Sequence, residues 1–242
     1  LTPAGSSFIS ELVKIKEELR RAVETSKNLS NGFTDSLSVS IPLRSALCFL
    51  PQIMKEFKRE FPHVLLNILF QYGKSHTENF LGGKTDVMFG RKNAFSHIPH
   101  IEAHTIFQSH IYLMVQKDDP LANKSTVSPQ DLTGRTLMIG GGSPPELKKA
   151  QEIVIDSVHV QTMNSEDHFT SLVNVAAGNG VCLSPGFCND RTDEFKWIPI
   201  TFGTPIDCAL ATRSDDHRET TRRFIEITKE IYEAHNDEKE ML

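Results

Sequence analysis

Between residues 36 and 89 the chain alternates strand patterns with helix patterns, and this alternation limits the fold more than any other feature. Ser36-Leu37-Ser38-Val39-Ser40-Ile41 alternates polar and apolar residues, the period of a strand, and Pro42 closes it. Ala46, Leu47, Leu50, Ile53, Met54, Phe57 and Phe61 then recur at helical spacing, which predicts a single one-sided helix ending at Pro62. Residues 64–70 read as a buried strand, Tyr72-Gly73-Lys74-Ser75-His76 as a polar turn, and the stretch up to Gly82-Gly83 as a short helix. Residues 86–89 make a third strand. Strand–helix–strand–helix–strand is the signature of a parallel sheet with right-handed crossovers, so the class is α/β.

A loop is expected over 90–99, followed by one long strand-like run over 105–115. After the turn Asp118-Asp119-Pro120 a second alternating set begins. It has strands at 136–139, 158–162 and 181–184, with helices from Pro144 and over 167–177. Strands at 197–200 and 206–211 and a helix over 217–234 close the chain. The last strand and helix lack a unit of their own, and the simplest packing returns them to the first unit. Two crossings between lobes would make a hinge with a cleft. The expected domains are therefore a helix over 1–31, lobe I from 36–107 and 205–236, and lobe II from 108–204.

Ahead of these lobes, Phe8, Leu12, Ile15, Leu19, Ala22, Ser26 and Leu29 are spaced by alternating steps of four and three, the step of a two-stranded coiled coil. Phe8, Leu12, Ile15, Leu19 and Ala22 are the candidate dimerisation residues, with a second copy of the chain as the partner. The competing reading is a helix folded back on its own domain. Its charges are mixed: Lys14, Lys16, Arg20, Arg21 and Lys27 against Glu11, Glu17, Glu18 and Glu24. That describes a solvated helix rather than a basic arm, and the net charge of -5 argues against a nucleic-acid groove binder. The cysteines at 48, 182, 188 and 208 form no Cys-x-x-Cys pair and read as buried reduced thiols. Apolar runs such as Val64-Leu65-Leu66 are too short for a bilayer, and no signal peptide is present, so the expected place is the cytoplasm with no membrane partner.

Chemistry-bearing motifs are few. Gly83-Lys84-Thr85 invites a phosphate-loop reading, but the required upstream glycine is Glu78. His97, His100, His104 and His110 could gather a metal ion, yet they lie on loop and strand without helical spacing, and a polar loop is the simpler account. Ser184-Pro185-Gly186 is no nucleophile elbow. No catalytic residue, metal or cofactor is assigned, and the chain is not expected to be an enzyme.

Binding is a different matter. Open α/β sheets hold ligands beyond the carboxyl ends of strands, where helix N-termini favour anions. Four such places stand out. Leu43, Arg44 and Ser45 follow the first strand, where a guanidinium suits a carboxylate or phosphate; a surface ion pair is the alternative. Lys74 and Ser75 precede the next helix, or form an ordinary solvated turn. Gly142 lies in Gly140-Gly141-Gly142-Ser143-Pro144-Pro145-Glu146, where the glycines admit a ligand to the backbone, or where Ser143 and Glu146 simply make a capping box. Asn164 and His168 precede the helix toward Ala177, with capping by Asn164 or Ser165 as the alternative.

Six short motifs, in order, resemble the LysR-type transcriptional regulators. Leu1-Thr2-Pro3-Ala4-Gly5 is similar to the end of their winged helix-turn-helix domain, and the heptad helix to their linker helix. Leu50-Pro51, Phe57 and Phe61-Pro62-His63-Val64 resemble a run in their first regulatory lobe, as does Leu81-Gly82-Gly83-Lys84-Thr85-Asp86-Val87. Asp119-Pro120-Leu121-Ala122 resembles their His-Pro-Leu-Ala turn with Asp for His, and Val175-Ala176-Ala177-Gly178-Asn179-Gly180-Val181 matches another segment. The resemblance implies a two-lobed periplasmic-binding-protein-like (type 2) fold with a hinge, preceded by a long linker helix. It further implies a small effector between the lobes and self-association as a dimer or tetramer. DNA would be bound only through a domain upstream of this sequence. In the family the turn after the first strand carries small polar residues that contact effector, and Arg44 takes one of those places. A solute-binding receptor of a transport system shares the fold and is the alternative. The opening heptad and the lack of a signal peptide count against it.

Overall fold

The structure is a computed structural model describing residues 32–140 and 143–235, together with positions 2, 4, 5, 8, 9, 11, 12, 15, 16, 19, 22, 23 and 26. The chain forms two compact units. It leaves the first after Phe107, builds the second over Gln108–Asp207 and rejoins the first at Cys208.

The first unit is built on strands β1 (Asp35–Ile41), β2 (Val64–Phe70), β3 (Val87–Arg91), β4 (Ile101–Ser109) and β10 (Ile206–Arg213), in the order β2-β1-β3-β10-β4. β1 runs parallel to β2 and β3, while β10 runs antiparallel to β3. The closing strand thus returns to this sheet. Leu37, Val39 and Ile41 of β1 are fully buried. Helix α1 (Leu50–Glu60) buries Leu50, Ile53 and Phe57, and α6 (Glu219–Ala234) buries Phe224, Ile227, Ile231 and Tyr232. The two helices meet through Phe57 and Phe224, whose rings lie 5.9 Å apart and edge to face. Each such buried ring contributes about 1.5–3 kcal/mol.

Four details of the first unit depart from the sequence reading. The predicted single helix is two pieces, a 3-10 turn at Arg44–Leu47 and then α1, because Pro51 lacks an N–H and belongs in the first turn of a helix. β2 is half-buried rather than buried, with Phe70 58% exposed, since it is the sheet's edge strand. Helix α2 (Gly73–Leu81) starts at Gly73, so Lys74 and Ser75 sit in its first turn and not ahead of it. The loop 90–99 contains a short helix, α3 (Lys92–Phe95), which buries Phe95. A Cβ at position 90 would stand 2.6 Å from the Phe95 ring, which would have to move to admit it.

The run 105–115 also divides. β4 ends at Ser109, and β5 (Ile111–Gln116) belongs to the sheet of the second unit. That sheet adds β6 (Thr136–Ile139), β7 (Gln161–Asn164), β8 (Val181–Pro185) and β9 (Phe195–Pro199), in the order β7-β6-β8-β5-β9. β6 is parallel to β7 and β8, and β5 is antiparallel to β8 and β9. β7 begins later than predicted because Val158 is the C-cap of helix α4 (Pro145–Ser157), its N–H bonded to the Val154 carbonyl. Pro144, not Ser143, is the N-cap of α4, so the predicted capping box is absent there. Helix α5 (His168–Ala176) is capped by Asp167, which accepts from the Thr170 N–H at 2.8 Å, rather than by Asn164 or Ser165. Ser165 is buried instead and shares a 2.8 Å hydrogen bond with the Ser171 hydroxyl.

A carboxylate box does occur elsewhere in this unit. Asp131 accepts from the Ser128 N–H at 2.9 Å and its hydroxyl at 3.0 Å, and pairs with Lys124. Lys124 and the Ser128 donors hold the Asp131 carboxyl at about 2. Its contribution is complete above the ordinary carboxylate range and is lost as pH falls from there through about 2. Asp131→Asn is therefore expected to flatten the acid limb of the second unit's stability in that window, as read by urea unfolding at a series of pH values.

Cys182, Cys188 and Cys208 are buried and Cys48 is half-buried, and none of the four is in a disulfide. Burial pushes the Cys182 thiol to about 11 and Cys188 to about 12, so neither is a nucleophile at neutral pH. In the leading segment the described positions 4, 5, 8, 9, 11, 12, 15, 16, 19, 22, 23 and 26 are helical. Phe8, Leu12, Ile15 and Leu19 are 45–65% exposed, so their own unit leaves the stripe uncovered. Among the described residues no helix is long and apolar enough to cross a membrane.

Candidate functional site

In the first unit the carboxyl ends of β1 and β2 lie side by side, with Ile41 in register with Phe70. The Gln71 N–H donates to the Ile41 carbonyl at 2.9 Å, which ties the two exits together. Beyond β1, Leu43 is extended, and the 3-10 turn opens at Arg44. Leu43 and Ser45 are half-buried, whereas Arg44 is exposed. Among the described residues no carboxylate pairs with Arg44, so the surface ion pair weighed above is not formed there. Beyond β2, Lys74 and Ser75 are exposed in the first turn of α2. The Ser75 hydroxyl donates to the Tyr72 carbonyl at 3.1 Å, which leaves Lys74 as the group open to a ligand. Arg44 thus follows one strand end, and Lys74, in the first turn of a helix, follows the adjacent one, positions suited to an anion.

Two residues behind this end were missed by the sequence reading. His76 is 8% exposed and its Nε2 lies 3.3 Å from the Ser40 carbonyl. Burial pushes the His76 pKa down, against the opposing pull of that carbonyl, so the ring is neutral and Nε2–H donates. Ser40 is fully buried, and its hydroxyl has no partner among the described residues. The polar-apolar alternation of β1 marks Ser40 as solvent-facing. In the fold that face is covered: Ser40 is fully buried, and the buried His76 of α2 bonds its carbonyl. An orphaned buried hydroxyl calls for a water or ligand partner.

In the second unit the ends of β6 and β7 are likewise adjacent, Ile139 pairing with Asn164. Gly140 is pressed against the next strand's exit: a Cβ there would sit 1.9 Å from the Ser165 carbonyl oxygen. Gly142 lies outside the described residues. Asn164 is exposed and, with Ile139, Gly140, Lys148 and Gln151, lines a recess of about 290 Å3. His168, half-buried at the start of α5, does not line that recess. Burial lowers its pKa against the attraction of Asp190 and Asp167. The histidines at 97, 100, 104 and 110 are not brought into one cluster. His104 Nε2 instead meets the Thr212 hydroxyl at 3.2 Å, and no group of three ligating side chains occurs among the described residues.

Known proteins share this family and fold. The LysR substrate binding domain model matches residues 30–232. The Hca operon transcriptional activator HcaR of Escherichia coli (strain K12) is 24% identical over 243 residues, covering 95% of this chain and 79% of that protein. The crystal structure of CbnR, a LysR family transcriptional regulator, superposes with a TM-score of 0.68 at 21% identity, over 95% of this chain and 81% of that one. The BenM effector binding domain with its effector benzoate gives 0.66 at 19% identity, over 84% of this chain and 95% of that one. These likenesses show the fold, which is the two-lobed periplasmic-binding-protein-like (type 2) architecture. The relatives are transcription regulators and not enzymes. With the family model spanning most of the sequence, the chain belongs to the LysR substrate-binding-domain family.

Proposed function

We propose that this effector-binding domain senses a small anionic metabolite, held at the carboxyl ends of β1 and β2 by Arg44, Lys74 and the first turn of α2. The observation that carries this is the pairing of two exposed cations with a helix start at one sheet end, above the orphaned Ser40 hydroxyl. Leu43 and Ser45 flank the anion, while Asn164 and His168 are the second unit's own candidate contacts, with Gly142 outside the described residues. Lobe I is taken as 36–107 with 205–236, lobe II as 108–204, and residues 1–31 as the connector that pairs two copies. DNA is not bound by these lobes, and the protein works in the cytoplasm. A transport receptor with the same fold is the second reading; the exposed heptad stripe favours the regulator, since a soluble receptor has no use for it.

A thermal-shift screen tests the anion. Small carboxylates, benzoate included, are compared with their uncharged amides. A carboxylate at about 100 times its Kd raises the melting temperature by roughly 5–10 °C, and its amide does not. Equal stabilisation by acid and amide would remove the charge argument.

A further inference from the structure

A further recess of the second unit is lined by none of the residues assigned above. It has a volume of about 500 Å3 and lies where the start of β5, His110 to Tyr112, runs beside the end of β9 and the residues that follow it, 199–205. In the strand order β7-β6-β8-β5-β9 this is the opposite edge of the sheet from Asn164. Its size is that of a small-ligand pocket, commonly about 300–1,000 Å3.

The floor is apolar and fixed. Ile111 and Tyr112 are 4% and 6% exposed, and Tyr112 pairs with Pro199 across the strands. Ile200 and Phe202 are half-buried against the unit's core. The wall formed by residues 199–201 is held from behind: the Val127 N–H donates to the Pro199 carbonyl at 2.9 Å, and the Thr201 N–H donates to the Val127 carbonyl at 3.0 Å. Gly203 turns the chain with φ +85°, and its open side faces Ala150, 3.4 Å from where a Cβ would be. His110 and Thr204, both exposed, are the polar residues of the rim, while the Thr201 hydroxyl donates to the Val127 carbonyl at 3.5 Å. No Asp, Glu, Lys or Arg lines the recess.

That chemistry differs from the two-cation end of the first unit. A carboxylate brought here would lose water and gain no cation, whereas an uncharged ring carrying an amide or hydroxyl would cover apolar floor and meet the rim. We infer that this recess is a second ligand site, selective for an uncharged single-ring molecule with a hydrogen-bonding substituent. The site is separate from the anion site and stands whether or not that assignment does.

Benzamide and benzoate are the probes, titrated into the 15N-labelled chain. Benzamide up to about 10 mM, a range suited to millimolar Kd, shifts the amide resonances of Ile111, Gly203 and Thr204, and benzoate leaves them in place. Thr204 is exposed, so Thr204→Phe fills the recess without disturbing the core, and the benzamide shifts disappear while the rest of the spectrum is retained. Absence of shifts at these three residues, shifts that persist in Thr204→Phe, or equal shifts with benzoate would each overturn the site.

Discussion

Asp86→Ala is expected to destabilise the first unit by about 3–5 kcal/mol, the cost of removing one partner from a buried ion pair. The Asp86 carboxylate is nearly inaccessible and lies 2.7 Å from Arg218 and 3.4 Å from Arg213. It also accepts the Ser38 N–H of β1 at 2.8 Å. Arg218 is shared with Asp216 at 2.6 Å and reaches the Ser36 carbonyl, so one carboxylate ties β1, the approach to β3, the end of β10 and the approach to α6. Those carboxylates and hydrogen bonds raise the Arg218 pKa, so the guanidinium stays charged after the substitution and is left half-buried with one partner fewer. Urea unfolding reads the loss as a lower midpoint with an unchanged slope. A midpoint within error of the parent would mean that the cluster is ornamental.

The double substitution Leu12→Asp with Leu19→Asp is expected to make the particle smaller, with a mass by light scattering reduced to about half if the helix pairs two copies. Leu12 is 45% and Leu19 65% exposed within their own unit, so neither change removes a core contact, and the melting temperature of the lobes should hold. Carboxylates at two successive seam positions repel across a paired interface and cannot be buried in it. If the helix instead docks on its own lobe in solution, the mass stays constant and the melting temperature falls.

Much of this architecture is legible in the residues because period and punctuation agree. β6 is read at its observed bounds, and the strand at β1 falls within one residue of them, since each has a clean alternation or a short apolar run between breakers. The misreadings have local causes. Pro51 sits inside an unbroken apolar helical spacing, and its missing N–H starts a new helix that hydrophobic periodicity does not register. The strand-like run from Thr105 to Val115 serves two sheets, and the polar stretch Gln108-Ser109-His110 marks the break. Asp167 caps α5 although Asn164 and Ser165 are equally good candidates by type, because capping depends on backbone conformation at one residue.

The candidate site is legible only in its exposed half. Arg44, Lys74 and Asn164 follow from the rule that ligands gather at strand ends, which needs only element order. Ser40 and His76 do not follow, because a serine in an alternating strand and a histidine in a short helix carry no sign of burial. It takes the packing over that face of the sheet to turn the Ser40 hydroxyl into an unmet hydrogen-bonding group. Gly140 is similar: one glycine among three reads as flexibility, but its position against the Ser165 carbonyl makes it a close-approach residue.

The most direct test of the sensing site is calorimetric titration of the parent and Arg44→Ala with the carboxylate that gives the largest thermal shift. Arg44 is exposed and unpaired among the described residues, so the substitution leaves the unliganded melting temperature in place. Loss of one charge-assisted contact weakens binding by about 1–3 kcal/mol, or roughly 5- to 150-fold in Kd. The same affinity in parent and variant would contradict the placement of an anionic effector at the ends of β1 and β2.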